Sequence, residues 1–284
     1  MADKKSKSKL KFSRPDLASL GGLALALGGI AGGLLNDHGK LSELIQISAG
    51  LIVICGTVGA VMVTSPLSAL IGAVKGLKDV FFEEAIEPTA AIEEIIGYAT
   101  KARKNSIISL EEDLDRVPDK FLKKALSLAV DGTDLQELRK MMELEIEQTE
   151  HHREKAAKVF EAAGGYAPTI GIIGAVLGLM QVMKNLADIS EVGRGIASAF
   201  VATVYGVATA NLFFLPAAAK LKARIRQETQ ARELLLEGVC SIVEGMNPKL
   251  IRVKLEAFVE HTGKAPKKAK AESAGSAEPA SARG

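Results

Sequence analysis

Apolar and polar positions along this chain are sorted into two regimes. Four stretches carry no Asp, Glu, Lys, Arg or His: Leu17 to Asn36, Leu44 to Val74, Ala162 to Met183 and Gly195 to Ala219. A hydrocarbon core of about 30 Å takes roughly 20 apolar residues in a helix, and a helix satisfies its own backbone hydrogen bonds there. The pattern predicts an all-α integral membrane protein with four transmembrane helices at 17–36, 44–64, 162–183 and 195–219.

Between and beyond these runs the period is that of surface helices. Ile92, Ile95, Ile96 and Ala99 recur at helical spacing, as do Phe121, Leu122, Ala125, Leu126 and Leu128. This predicts a helical cytoplasmic domain over 65–161, inserted between spans two and three. Its helices should break at Glu87-Pro88, Val117-Pro118 and Asp131-Gly132-Thr133-Asp134, with Thr133 or Asp134 capping the next helix. From Asp134 to Phe160 there is no Pro or Gly, so a long helix should run into span three. Lys220 to Glu244 repeats this composition as a helical extension of span four, within cytoplasmic C-terminal helices over 220–262. Residues 263–284 lack the large apolar groups needed to order themselves and read as a tail.

Charge sets the orientation. Lys4, Lys5, Lys7, Lys9, Lys11 and Arg14 crowd the arm 1–16, Lys75 and Lys78 follow span two, and Lys220, Lys222, Arg224 and Arg226 follow span four. The opposite connections, Asp37 to Glu43 and Lys184 to Arg194, carry few cations, each offset by acids. Both termini are therefore expected in the cytoplasm. The first run is longer than a signal core and is not followed by a small-x-small cleavage site, so it is read as a retained span.

Composition removes several function classes. The 284 residues carry a net charge of +2, too small for a nucleic-acid binder. The 2 cysteines, Cys55 and Cys240, make no disulfide framework, and the 4 histidines, His38, His151, His152 and His261, have no metal-ligand spacing. No nucleotide loop or catalytic grouping is present, so neither an enzyme nor a bound cofactor is expected.

The spans themselves hold the most informative chemistry. Pro168, Gly171, Ala175 and Gly178 fall on one face of span three, and Ala199, Thr203, Gly206 and Ala210 on one face of span four. Small faces let helix backbones approach closely, either within one molecule or against other helices. Pro168 and Pro216 each remove a helical hydrogen bond, and antiparallel spans would put them at a similar depth. Ion relays are marked by an ionisable group inside a span, and none of the four has one. A titrating carboxylate would have to come from another chain, with Thr203, Tyr205, Thr209 and Asn211 as polar lining here.

The run Gly165-Tyr166-Ala167-Pro168-Thr169-Ile170-Gly171-Ile172-Ile173-Gly174 and the run Ala199-Phe200-Val201-Ala202-Thr203-Val204-Tyr205-Gly206, in this topology, resemble the flagellar motor stator A subunit of the MotA/PomA kind. The likeness covers roughly Asp16 to Pro248. It implies a pentamer in the bacterial inner membrane around a dimer of B subunits, whose single spans bring the ion-binding aspartate and whose outer part binds peptidoglycan. It implies that ion flow turns the ring. Carried over residue by residue, the two coupling prolines are Pro168 and Pro216. Gly171, Ala175, Gly178, Thr203 and Tyr205 would face the ion path and the B subunit. The charged pair facing the rotor's switch complex would be Arg103 and Glu111, with Lys101, Lys104, Glu112 and Asp113 beside them.

Sodium-using relatives carry threonine at the position held here by Ala175, so the resemblance implies protons as the transported ion, with Na+ the weaker choice. Two rivals remain: an ExbB/TolQ-type energiser, which would have three spans and an external N-terminus, and a non-conducting membrane scaffold, which would tolerate alanine at Arg103, Pro168 and Pro216.

Overall fold

The computed structural model describes residues 14–83, 88–184 and 186–261. Most of the arm 1–16, Glu87 of the first expected break, and the tail 263–284 lie outside the described residues. In chain order the elements are β1 (Arg14–Pro15), α1 (Leu17–Asn36), α2 (Ile47–Thr64), α3 (Leu67–Phe81), β2 (Phe82–Glu83), α4 (Pro88–Asn105), α5 (Lys120–Val130), α6 (Leu135–Lys184), α7 (Ile189–Thr209), α8 (Leu215–Val243) and α9 (Pro248–His261). Short 3-10 stretches occupy Leu41–Leu44 and Ile107–Arg116, and a π-helical turn at Ala210–Phe214 joins α7 to α8. Four helical stretches, α1, α2, α6 and the α7–α8 run, are long and apolar enough to cross a membrane.

The chain divides into two compact units, Met1–Ala85 with Thr149–Gln227, and Ile86–Gln148 with Glu228–Gly284. The boundaries do not follow the expected domain 65–161. The difference lies in α3: Ser65 and Pro66 are extended and end α2, and α3 then buries Ala69, Ala73 and Val80 with Ala156, Ala157, Phe160, Leu221 and Ile225 of the first unit.

In the first unit α2 buries one stripe, Ala49, Val53, Thr57 and Val61, at intervals of four. Ala49 packs with Val201, Ala202 and Tyr205 of α7. The two short strands pair antiparallel, Arg14 with Glu83 and Pro15 with Phe82. No residue of α1 is buried.

The second unit has its own core. Ile95 of α4, Leu122 and Leu126 of α5, Leu138 and Met142 of α6, Val239 of α8, and Ile251 and Leu255 of α9 are all almost fully buried. Asp119 caps α5 through Leu122 N–H at 2.8 Å, and Asp134 caps α6 through Gln136 N–H at 2.9 Å. Gly132, at φ +75°, supplies the left-handed turn between them. Charged pairs tie the surface together, including Arg139 to Glu237 at 3.0 Å and both terminal nitrogens, Nη1 and Nη2, of Arg252 to Glu93.

Candidate functional site

The small faces of spans three and four meet each other. A Cβ on Gly206 would lie 2.5 Å from the Ala167 carbonyl oxygen and 3.0 Å from Gly171 Cα, so α6 and α7 touch backbone to backbone there. Gly171 is buried in this contact. Gly178 is half-buried, and a Cβ on it would come within 3.0 Å of Ala199. Within one chain these glycines serve α6–α7 packing. Ala175 and Thr203 are each half-buried, and the Thr203 hydroxyl donates to the Ala199 carbonyl at 3.4 Å.

The other polar groups of the expected lining are also engaged. The Tyr205 hydroxyl donates to the Leu44 carbonyl and accepts the Gln46 N–H at 3.3 Å, which ties the start of α2 to the C-terminal part of α7. Thr209 donates to the Tyr205 carbonyl at 2.7 Å, and Asn211 to the Val207 carbonyl at 2.9 Å. These are the i−4 bonds that a polar side chain adopts when lipid offers no other partner.

The prolines are not level with each other. Gly206 against Gly171, Gly178 against Ala199 and Gly164 against Leu215 set the antiparallel register. That register puts Pro168 opposite the start of the π turn and Pro216 opposite residues near 162, an offset of about seven residues, or ~10 Å at 1.5 Å per residue. This corrects the expectation of a common depth. The disturbed turns nevertheless coincide. A proline leaves the carbonyl four residues earlier without its partner, so the disturbance lies on the N-terminal side of each ring. In α6, which stays α-helical through Pro168, that side is the weakened turn Gly164 to Pro168; before α8 it is the π turn Ala210–Phe214. Because the helices run oppositely, both disturbances fall in one layer, where the Leu215 side chain packs on Gly164.

Arg103 and Glu111 belong to the second unit. Arg103 lies in the last turn of α4, and Glu111 in the 3-10 segment that follows a reversal at Ser106, whose φ is +73°. Leu110, fully buried, anchors that segment. Among the described residues neither Arg103 nor Glu111 forms an ion pair, and both are exposed. Lys101 instead pairs with Asp113 at 2.6 Å and reaches Glu112 at 4.0 Å, so part of the local charge closes the α4 hairpin.

Two residues escaped the sequence argument. Thr57 is 1% exposed in the middle of α2, and its hydroxyl has no hydrogen-bond partner among the described residues. Asp16 is 7% exposed at the start of α1, in contact with Lys220 and Arg224. An acid just before an apolar run signals a helix cap, but nothing in the sequence spacing connects it to cations some two hundred residues away. Among the described residues no group of three His, Cys, Asp or Glu side chains forms a metal site.

Two family models cover most of the chain: the motility protein A N-terminal domain over 20–104 and the MotA/TolQ/ExbB proton channel family over 113–234. The chain belongs to the motility protein A family. It is a flagellar stator subunit. Motility protein A of Bacillus subtilis is 38% identical over 248 residues, which is 86% of this chain and 91% of that one. Two solved structures share the fold. The C. jejuni MotAB structure matches with a TM-score of 0.83 at 31% identity, over 89% of this chain and 99% of that chain. The flagellar MotAB stator complex of Bacillus subtilis matches with a TM-score of 0.81 at 34% identity, over 91% and 100%. In this member of the family, the motif runs that carry the resemblance are the ones that form the α6–α7 backbone contact.

Proposed function

We propose that this chain is the ion-coupled ring subunit of a stator in the bacterial inner membrane, with both termini in the cytoplasm. Five copies surround two B subunits, each supplying one span and one aspartate. The observation that carries this reading is chemical: four spans without an ionisable side chain, two of which meet through a small-residue contact with a distorted layer beside it. Such a shell can guide and bend but cannot itself hold a transported proton. Proton binding to a partner's aspartate would shift the balance between two arrangements of the layer at Gly164 to Pro168 and Ala210 to Phe214. Arg103 and Glu111, exposed and uncommitted, would meet the rotor's switch complex by charge complementarity.

Protons are the proposed ion, because Ala175 offers no oxygen where a hard cation would need one. The ExbB/TolQ-type alternative is disfavoured by the match of residues 20–104 to the motility N-terminal model.

The test is expression in a stator-deleted, flagellated host, alone and with a single-span partner bearing an aspartate and a peptidoglycan-binding domain. Swimming should return only with the partner, persist in sodium-free medium and stop with a protonophore. Swimming that requires sodium would overturn the ion assignment. Vigorous proton flux through liposomes containing this chain by itself would overturn the borrowed-carboxylate mechanism.

A further inference from the structure

Span α1 is held unlike the other three. None of its residues is buried, and a Cβ on Gly21, Gly22, Gly28, Gly29, Gly32 or Gly33 would have nothing within 4 Å. Its polar fastenings to α3 and α8 among the described residues are those of Asp16. Oδ1 of Asp16 accepts the N–H groups of Ala18 and Ser19, both at 3.1 Å, and so caps the helix. Oδ2 pairs with the Lys220 ammonium and, at 3.1 Å, with Nη2 of Arg224. The Asp16 N–H donates to the Phe81 carbonyl at 2.8 Å, which extends the pairing of β1 with β2 at the end of α3.

Lys220 and Arg224 stand one and two turns beyond Pro216 on the same face of α8. On that side of the distorted layer, α3, the adjoining part of α6 and α8 pack as a group. Phe160, Ala156 and Leu221 lie among the buried side chains of α3, and Arg153 meets Asp79 at 2.6 Å. Asp16 therefore joins α1 to the group on one side of that layer and not to the glycine contact on the other. The Lys220 hydrogen bond, foremost, holds the Asp16 carboxyl below the ordinary carboxylate range against the cost of burial. It stays ionised near neutral pH and serves as a fixed anchor, not a proton carrier.

We propose that Asp16 is a positioning residue of the stator cycle: with Lys220 and Arg224 it fixes α1 to α8 beyond Pro216, so that bending in the distorted layer is carried to the first span. This rests on the stator reading above. The test compares Asp16→Asn, which keeps a capping oxygen and loses the charge, with Asp16→Glu, which keeps the charge on a poorer cap. Both are measured in the full complex, as the speed increment per stator unit while units join a stopped motor one at a time. Asp16→Asn should lower the increment roughly twofold or more, in the range by which packed networks modulate coupling, and Asp16→Glu should preserve it. A purely structural role would reduce the number of units and leave each increment at the parental value, which overturns the proposal.

A second readout does not depend on torque. Spin labels at Leu25→Cys and Leu67→Cys, in a Cys55→Ala background and a lipid nanodisc, report how firmly α1 sits on α3. Asp16→Asn should broaden the distance distribution and Asp16→Glu should not; equal distributions overturn the anchor. A parent complex that drives no rotation would defeat the stator reading, while the label distances still decide the anchor. Should Asp16→Asn not reach the membrane, Lys220→Gln, which leaves the cap and Arg224 in place, carries the same two outcomes.

Discussion

Single positions in the α6–α7 contact differ sharply in what they tolerate. Gly206→Ala would drive a methyl group into the Ala167 carbonyl, a backbone atom that cannot rotate away. Overpacking of this kind costs about 1–3 kcal/mol, so the variant should melt earlier in detergent and lose swimming. Gly165→Ala, two residues before Ala167 on α6 and with nothing within 4 Å, should melt no earlier, since it gains up to about 1 kcal/mol of helix propensity. Equal behaviour of the two would show that the contact is looser than described. Thr57→Val is the opposite case. It replaces a buried hydroxyl that has no partner among the described residues by a methyl group of the same shape, and should raise the melting temperature by an amount worth about 1–2 kcal/mol. Unchanged or lowered melting would mean that the hydroxyl has found a partner in the assembled complex. The glycine contact was legible as spacing in the sequence, because small residues three, four and seven apart must share a face. Thr57 was not, since satisfaction of a hydroxyl depends on which neighbours tertiary packing brings.

At the level of elements, the sequence disclosed both prolines but not the shape of their effect. Helical periodicity carries through Leu212 and Phe213 without interruption, so a turn with a different hydrogen-bond pattern leaves no trace in hydropathy. The π turn at Ala210–Phe214 follows from Pro216, whose ring crowds the preceding turn and which has no N–H to offer it. Its position is what the proposed mechanism rests on, because it is level with Gly164 to Pro168. Pro216→Ala should restore the missing hydrogen bond and regularise the α7–α8 run. The expected result is a higher melting temperature, within the roughly 3 kcal/mol that an interior proline costs, together with reduced torque per unit. Full torque with a straightened helix would remove the distorted layer from the mechanism.

Across the whole molecule, the contrast between charge-free runs and charged intervals was enough to give an all-α membrane architecture with four spans. It was not enough to divide the rest. Helix α3 begins inside the apolar run Leu44 to Val74 and continues beyond it, and its amphipathic face could have belonged to either unit; packing against Ala156, Phe160 and Leu221 settled it. The same limit applied to the charges near Arg103. The residues alone read as one solvated charged loop in which only the resemblance singled out Arg103 and Glu111, and the structure separates these charges by what they touch. Lys101, paired with Asp113, holds the 3-10 segment to α4, whereas Arg103 and Glu111 hold nothing within the described residues. Lys101→Ala should therefore lower the melting temperature by the equivalent of up to about 1 kcal/mol, the upper range for a partly exposed pair. Arg103→Glu should leave melting within about 0.5 kcal/mol of the parent, as surface changes away from such contacts do, yet abolish swimming. A complementary charge reversal on the rotor partner should then restore motility to Arg103→Glu and leave Lys101→Ala unimproved. If Arg103→Glu swims normally, or if its loss is accompanied by a comparable loss of stability, the exposed edge of α4 is not where torque leaves the molecule.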